Sequence, residues 1–260
     1  MTPPIVLKSG RIAEILLNRP EKLNAMTAEM GGALRDAVQR LGHERETRAV
    51  VLRGAGKAFS AGGDFALIEA NSKRGAELNR ADMVEFYSLF LSLVQLPVPV
   101  VAAIQGAAVG AGLCVALAAD IRLAATNAKL GANFVRVGLH PGMGSTALLP
   151  HVVGPARAAE LLYTGKLVDG AEAERIGLVS RAVAPEQLDA AVSECAEAIA
   201  SAAPIAVRQT KATLRRALLR ELHGALETEA LNQAIDFGTG DLQEAIASFR
   251  ENRRPDFTGG

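Results

Sequence analysis

Apolar and amphipathic runs alternate along the chain up to about residue 185. "PIVLKSG", "RIAEILLN", "AVVLRG", "VPVVAAIQG", "DIRLAA" and "LVSRAV" read as strands, and residues 27–42, 79–95, 111–118, 156–163, 171–176 and 186–202 read as helices. The order is a strand pair followed by alternating helix and strand. It predicts an α/β domain with mostly parallel strands and right-handed crossovers. Beyond about residue 186 no strand pattern appears, and Pro185 and Pro204 stand where helices would begin. The expected organisation is an α/β core over 1–185 and a helical region over 186–260. No low-complexity linker divides them, so the helical region is expected to pack on the core or on a neighbouring subunit.

One stretch changes this picture if read alone. From Phe86 to Ala119 there is no charged residue, which is long enough for a membrane span. It contains Pro97, Pro99, Gln95, Gln105 and glycines at 106, 110 and 112, and lipid cannot replace the backbone hydrogen bonds lost at the prolines. It reads instead as a helix end, a buried strand, a small-residue turn and a buried helix.

Charge and composition narrow the functional classes. Lys+Arg and Asp+Glu balance at 28 each, so no net field recruits nucleic acid or an anionic membrane. Aromatics make up 4% of the chain, with no Trp, which also argues against a base-stacking surface. Cys114 and Cys195 make no disulfide framework and suit a reducing cytoplasm. The opening "MTPPIVLKSG" lacks the apolar segment of a signal peptide, so a cytoplasmic location is expected. No His/Cys cluster has metal-ligand spacing.

Spacing also rejects several glycine motifs. Gly56-Lys57 has Val51 and Ala58 where a phosphate loop needs Gly and Ser or Thr. A dinucleotide fingerprint would need a third glycine at 59, 115 or 147, which are Phe, Val and Ala. Ser145 lacks the flanking glycines of a serine-hydrolase elbow. What remains is a pair of similar events, "VVLRGAGKAFSAGGDF" and "VVAAIQGAAVGAGLCVALAAD", each running from an apolar strand into a turn of small residues. They are either two tight strand–helix junctions or two turns that aim peptide N–H groups at one ligand oxygen.

"NRPEKLNAM", "AFSAGGDF", "IQGAAVGAGLCVALAADIRLAA", "VGLHPGMGSTALLPHVVGPARAAELLYTG" and "AEAERIGLVSRAV" resemble the enoyl-CoA hydratase/isomerase (crotonase) family, in family order and over nearly the whole chain. The resemblance implies a crotonase-like spiral of β-β-α repeats with C-terminal helices that mediate trimerisation, and trimers that pair into hexamers. It implies an acyl-CoA thioester as substrate, with coenzyme A part of that substrate and no separate cofactor. The thioester oxygen would lie between the N–H groups of Gly63 and Ala111. Lys22 and the tail residues Arg253 and Arg254 are candidate phosphate contacts, and Ala61 is a candidate backbone contact to adenine. Asp64, Phe65, Ala66 and Phe134 complete the candidate substrate-binding set.

The chain departs from the family pattern where acids and bases are expected. The two glutamates of typical hydratases align with Cys114 and Phe134, and Gly142 stands where related isomerases carry an Asp. His140, in the turn "GLHPGMG", is the candidate replacement, since an imidazole exchanges protons near neutral pH. The alternative for His140 is a turn residue bonding backbone. Cys114 reads as inert core, Asp64 as a helix N-cap and Glu69 as a solvated first-turn acid. Tyr87 and Tyr163 read as core residues with satisfied hydroxyls. Leu139 and Met143 join Phe134 as a candidate apolar wall. The cations Arg208, Lys211, Arg215 and Arg216 read as a solvated or intersubunit helix face. Two functions follow: an enolate-stabilising enzyme of the hydratase/isomerase type, or an acyl-CoA-binding homologue without hydratase activity.

Overall fold

The computed structural model describes residues 2–260. A six-stranded sheet forms its centre: β1 (Ile5–Lys8), β2 (Ile12–Leu17), β3 (Ala49–Gly54), β4 (Val100–Ile104), β6 (Ile121–Ala125) and β9 (Arg181–Val183), in the spatial order β1-β2-β3-β4-β6-β9. The β1/β2 pair is antiparallel and every later pair is parallel. All five residues of β4, "VVAAI", are buried. A strand covered on both faces needs no alternation of apolar and polar residues, which is why this one reads as a continuous apolar run. A smaller sheet contains β5 (Ala108–Val109), β7 (Lys129–Gly131) and β8 (Val168–Asp169) in the order β5-β7-β8.

The repeat is visible in how each long strand continues. After β4 the chain enters β5 and then α4 (Ala111–Ala118); after β6 it enters β7 and later α5 (Ser145–Val153). After β3 it makes single bridges, Ser60 to Ala108 and Gly63 to Met26, and then enters α2 (Phe65–Asn71). Each turn of the spiral thus sets a short bridge or strand between a long strand and a helix.

Helix α1 (Ala28–His43) is capped by Thr27, whose hydroxyl accepts from Met30 N, and buries Met30, Leu34, Val38 and Leu41. α3 (Ala76–Leu91) packs on α1 and on the long C-terminal helix α9 (Pro204–Asp236). α6 (Pro155–Thr164) and α7 (Gly170–Arg175) complete the spiral, and α8 (Leu188–Ser201) packs on β3, β4 and β6. From α8 onward every regular element is helical, ending with the 33-residue α9 (Pro204–Asp236) and α10 (Gly240–Arg250). Pro204 opens α9, where a missing N–H costs no helical bond. Pro185 opens a short 3-10 turn that leads into α8. Among the described residues no single helix is long and apolar enough to cross a membrane; α8 with its leading turn and α9 pass that test only as a pair bent by 108°.

One expectation fails here. Lys211 and Arg215 do not lie on a solvated face: they are 7% and 8% exposed and converge on Asp120, at 2.9 and 2.7 Å. Of the four cations, only these two turn fully inward.

Candidate active site

The two small-residue turns are bonded to each other. Ser60 N donates to Ala107 O at 2.9 Å and Val109 N donates to Ser60 O at 3.0 Å. The approach is close enough to demand glycine at two places. A Cβ on Gly112 would lie 2.3 Å from Ser60 O, and one on Gly62 would lie 2.7 Å from Val109 O, with Gly62 also at φ +97°. That same Gly62 Cβ position lies 3.4 Å from Ala111 N, so the second turn's amide abuts the first turn.

Two peptide donors at these turns are left idle. Met26 N donates to Gly62 O and Met26 O accepts from Asp64 N, so Met26 engages the residues on either side of Gly63. In a parallel bridge of this kind the intervening residue turns its own N–H to the opposite side. Gly63 N donates to no acceptor among the described residues. Ala111 is the first residue of α4, where a helix leaves its N–H groups without internal partners, and its N–H is likewise free. Both residues line one cavity of about 550 Å³. The cavity is thus bordered by two residues with free peptide donors and by the N-terminal, positive end of α4.

The rest of the cavity is mainly apolar. α2 and α3 supply Phe65, Leu67, Ile68, Met83, Phe86 and Tyr87; the segment 134–143 supplies Phe134, Val137, Leu139 and Met143; Phe237 and α10 close it with Leu242, Ile246 and Phe249. Phe65 and Phe249 stack, ring centroids 4.6 Å apart, and an ion pair of 2.7 Å between Glu69 and Arg250 lies beside them. Arg250 and Lys73 hold the Glu69 carboxyl below its usual range. Lys22, Leu23 and Ala61 also line the cavity, and Lys22 makes no ion pair among the described residues. Asp64 lines it as well, but its carboxylate is engaged: it accepts from Ala66 N at 3.1 Å, capping α2, and pairs with Arg19 at 3.3 Å. Ala66 therefore contributes a capping amide and is not part of the lining.

Polar groups at the buried end are amides and one phenol. Tyr87 Oη donates to Gln233 Oε1 at 2.6 Å, and Gln233 Nε2 donates to His140 O at 2.7 Å. Burial pushes the Tyr87 phenol well above its ordinary range, with Glu229 contributing in the same direction. Cys114 is fully buried, its Sγ 3.3 and 3.4 Å from the carbonyls of Gly110 and Gly142, and burial pushes its thiol well up. It is a thiol without thiolate character, as expected of core. Sequence reasoning missed Tyr87–Gln233 as a cavity element because the partners lie 146 residues apart.

His140 is not brought to this cavity. Its side chain lines a separate hollow of about 490 Å³ with Thr146, Tyr163 and Asp236. Its Nδ1 donates to Pro141 O at 2.7 Å, and its backbone N–H donates to Asp236 at 2.5 Å. The backbone-bonding alternative describes this residue. Tyr163 is 80% exposed and so is not core. Arg253 is exposed but already occupied, bonded to Glu244 at 2.8 Å and Glu251 at 2.5 Å; the contact pulls the Glu244 carboxyl down to about 2. Arg254 is exposed and makes no ion pair among the described residues.

Fold and cavity together define an α/β spiral with a helical region, carrying two unpartnered peptide donors at the head of an apolar cavity. The sequence model of the enoyl-CoA hydratase/isomerase family matches residues 8–260, and the chain belongs to that family. The crotonyl-CoA hydratase of Syntrophomonas wolfei is 34% identical over 258 residues, covering 97% of this chain and 96% of its own length. The solved enoyl-CoA hydratase of Mycobacterium avium subsp. paratuberculosis superposes with a TM-score of 0.87 at 30% identity, over 98% of each chain. The enoyl-CoA hydratase/isomerase of Pseudoalteromonas atlantica gives 0.86 at 32%, over 98% of this chain and 100% of its own. The fold is that of the crotonases, and the chain is an acyl-CoA enzyme of the hydratase/isomerase type.

Proposed function

We propose that the cavity holds an acyl-CoA thioester with its carbonyl oxygen between Gly63 N–H and Ala111 N–H, and that these donors stabilise a thioester enolate. The observation that carries this reading is the presence of two free peptide donors on one cavity wall. Each such donor contributes about 3 kcal/mol where charge develops in a transition state. Polarising the carbonyl makes the α-carbon acidic and the β-carbon of an enoyl group electrophilic, and both routes pass through the enolate.

The cavity walls suit an uncharged, apolar acyl group, since no cation stands among Leu67, Ile68, Met83, Phe86 and Ile246. Lys22 and Ala61 border the cavity, which supports them as contacts to the nucleotide end of coenzyme A, with Arg254 as a second phosphate contact; Arg253 would first have to leave Glu244. Coenzyme A enters as part of the substrate. The two-glutamate route to water addition is closed to this chain, because position 114 holds a buried thiol and position 134 a phenyl ring at the cavity wall. The protein works in the cytoplasm as a homotrimer or a dimer of trimers. Leu231 and Ile235, exposed and one turn apart on α9, support a copy-to-copy contact.

A second reading, binding without hydratase chemistry, is favoured by one observation. The one carboxylate lining the cavity among the described residues, Asp64, is committed to a helix cap and to Arg19. A panel of 2-enoyl- and 3-enoyl-CoA thioesters, followed optically and by calorimetry, separates the two. Turnover of any member supports the enzyme, binding throughout without turnover supports the second reading, and failure of every thioester to bind overturns both. His140→Ala is expected to leave turnover essentially unchanged.

A further inference from the structure

Helix α4 begins at the Ala111 donor and ends at a buried cluster of positive charge. Arg215 Nη2 donates to Ala118 O at 2.7 Å, and Arg122 Nη1 donates to Ala119 O at 3.0 Å, so two guanidiniums cover the carbonyls at its C-terminal end. Lys211 Nζ donates to Val98 O at 2.7 Å beside them, and Arg122 Nε donates to Leu178 O at 2.8 Å. Arg122, Lys211 and Arg215 are 7%, 7% and 8% exposed. Among the described residues one carboxylate, Asp120, pairs with Lys211 and Arg215 and also accepts from Val100 N, while Arg122 beside them bonds only backbone carbonyls. Holding α9 to the core would need one cation for that carboxylate. The cluster instead keeps a surplus of two positive charges away from water.

We infer that Lys211, Arg215 and Arg122 are positioning residues for catalysis: their surplus charge, aligned behind α4, raises the positive potential at Ala111 N–H and favours an oxyanion there. This rests on the enolate-stabilising reading of the same site. The eight residues of α4, at 1.5 Å each, set Ala111 N–H about 12 Å from the carbonyls that Arg122 and Arg215 cover, and Lys211 shares Asp120 with Arg215 beside that end. At an effective dielectric constant of about 20, one cation at that distance favours a unit negative charge roughly tenfold. The interior position protects this effect from salt screening. The α4 dipole points the same way and acts through the same end.

The test reads the field at the carbonyl directly. Butyryl-CoA labelled with carbon-13 at the thioester carbonyl is bound to the protein, and the carbonyl infrared band is compared with that of the free ligand. The wild type is expected to shift the band to lower frequency; absence of any shift would defeat the oxyanion reading itself. Lys211→Met is expected to move the band back toward the free value while butyryl-CoA affinity stays within about threefold, because the thioester carbonyl beside α4 bears no net charge in the ground state and gains little from a distant cation. Lys211→Arg restores the wild-type band. An unaltered band in Lys211→Met, or failure of Lys211→Arg to restore it, overturns the inference and leaves the hole in place. Should Lys211→Met not fold, the wild type carries the test alone. Burial lowers the Lys211 ammonium to about 8; its charged neighbours are Asp120 and Arg215, with Arg122 beside those two. The band shift is therefore expected to shrink as pH rises through about 8, and a shift constant from pH 7 to about 9.5 would overturn the inference.

Discussion

A Cβ on Gly142 would lie 2.6 Å from both Tyr87 Oη and Gln233 Nε2, so the Tyr87–Gln233 pair occupies the space that an acid at this position would fill. An acid at 142 would therefore require the Tyr87–Gln233 pair of α3 and α9 to move. In the proposed site the functional group at Ala111 is its backbone N–H, and that group can be removed alone. Proline is well tolerated as the first residue of a helix, and Gly110 before it carries no Cβ to meet the ring. Ala111→Pro is expected to melt within a few degrees of the wild type while turnover falls by roughly 10²–10³, as when one oxyanion donor is lost; circular dichroism and a turnover assay read the two halves. The residues of both turns were legible because small side chains at a strand end are a local signal. The Tyr87–Gln233 pair was not, since a hydrogen bond across 146 positions leaves no local trace.

α2 and α10 meet over the cavity through Phe65–Phe249 and Glu69–Arg250, two contacts between the second helix and the last. Phe249 is 68% exposed, so its ring adds little to the core and much to the cavity rim. Phe249→Ala is expected to cost about 1 kcal/mol of stability, the scale of one aromatic pair. Acyl-CoA binding should weaken more than stability does; a thermal melt and calorimetric titration compare them. The long strands and the helices α1, α3, α4, α6, α7 and α8 lie close to where the sequence pattern puts them. β5, β7 and β8 were not foreseen, because strands of two or three residues are too short to show a period. α5 escaped for another reason: "STALLPHVV" carries a proline inside the helix. The periodicity of α9 marks it as helix but does not say which face meets the core. Lys211 and Arg215 therefore read as solvated from sequence and prove buried.

At the scale of the whole molecule, α9 fastens the segment 140–146 to the core, and one of its fasteners titrates. Glu229 is fully buried and accepts from Gly144 N at 2.6 Å, Thr146 N at 2.8 Å and Thr146 Oγ1 at 2.6 Å. Burial outweighs these bonds and raises its carboxyl from 4.5 to about 7. Between those values the folded chain keeps a proton that the unfolded chain has released. Stability therefore falls as pH rises through that window, by about 3 kcal/mol from this group. Denaturant midpoints from pH 4.5 to 8 should show this slope in the wild type and lose it in Glu229→Gln; equal slopes would mean that Glu229 is not protonated in the fold. The central claim, however, concerns two nitrogens and one oxygen. A crystal structure with bound butyryl-CoA tests it most directly: the thioester oxygen should lie about 2.7–3.1 Å from both Gly63 N and Ala111 N. An oxygen that meets neither amide, or a thioester lodged elsewhere, would contradict it.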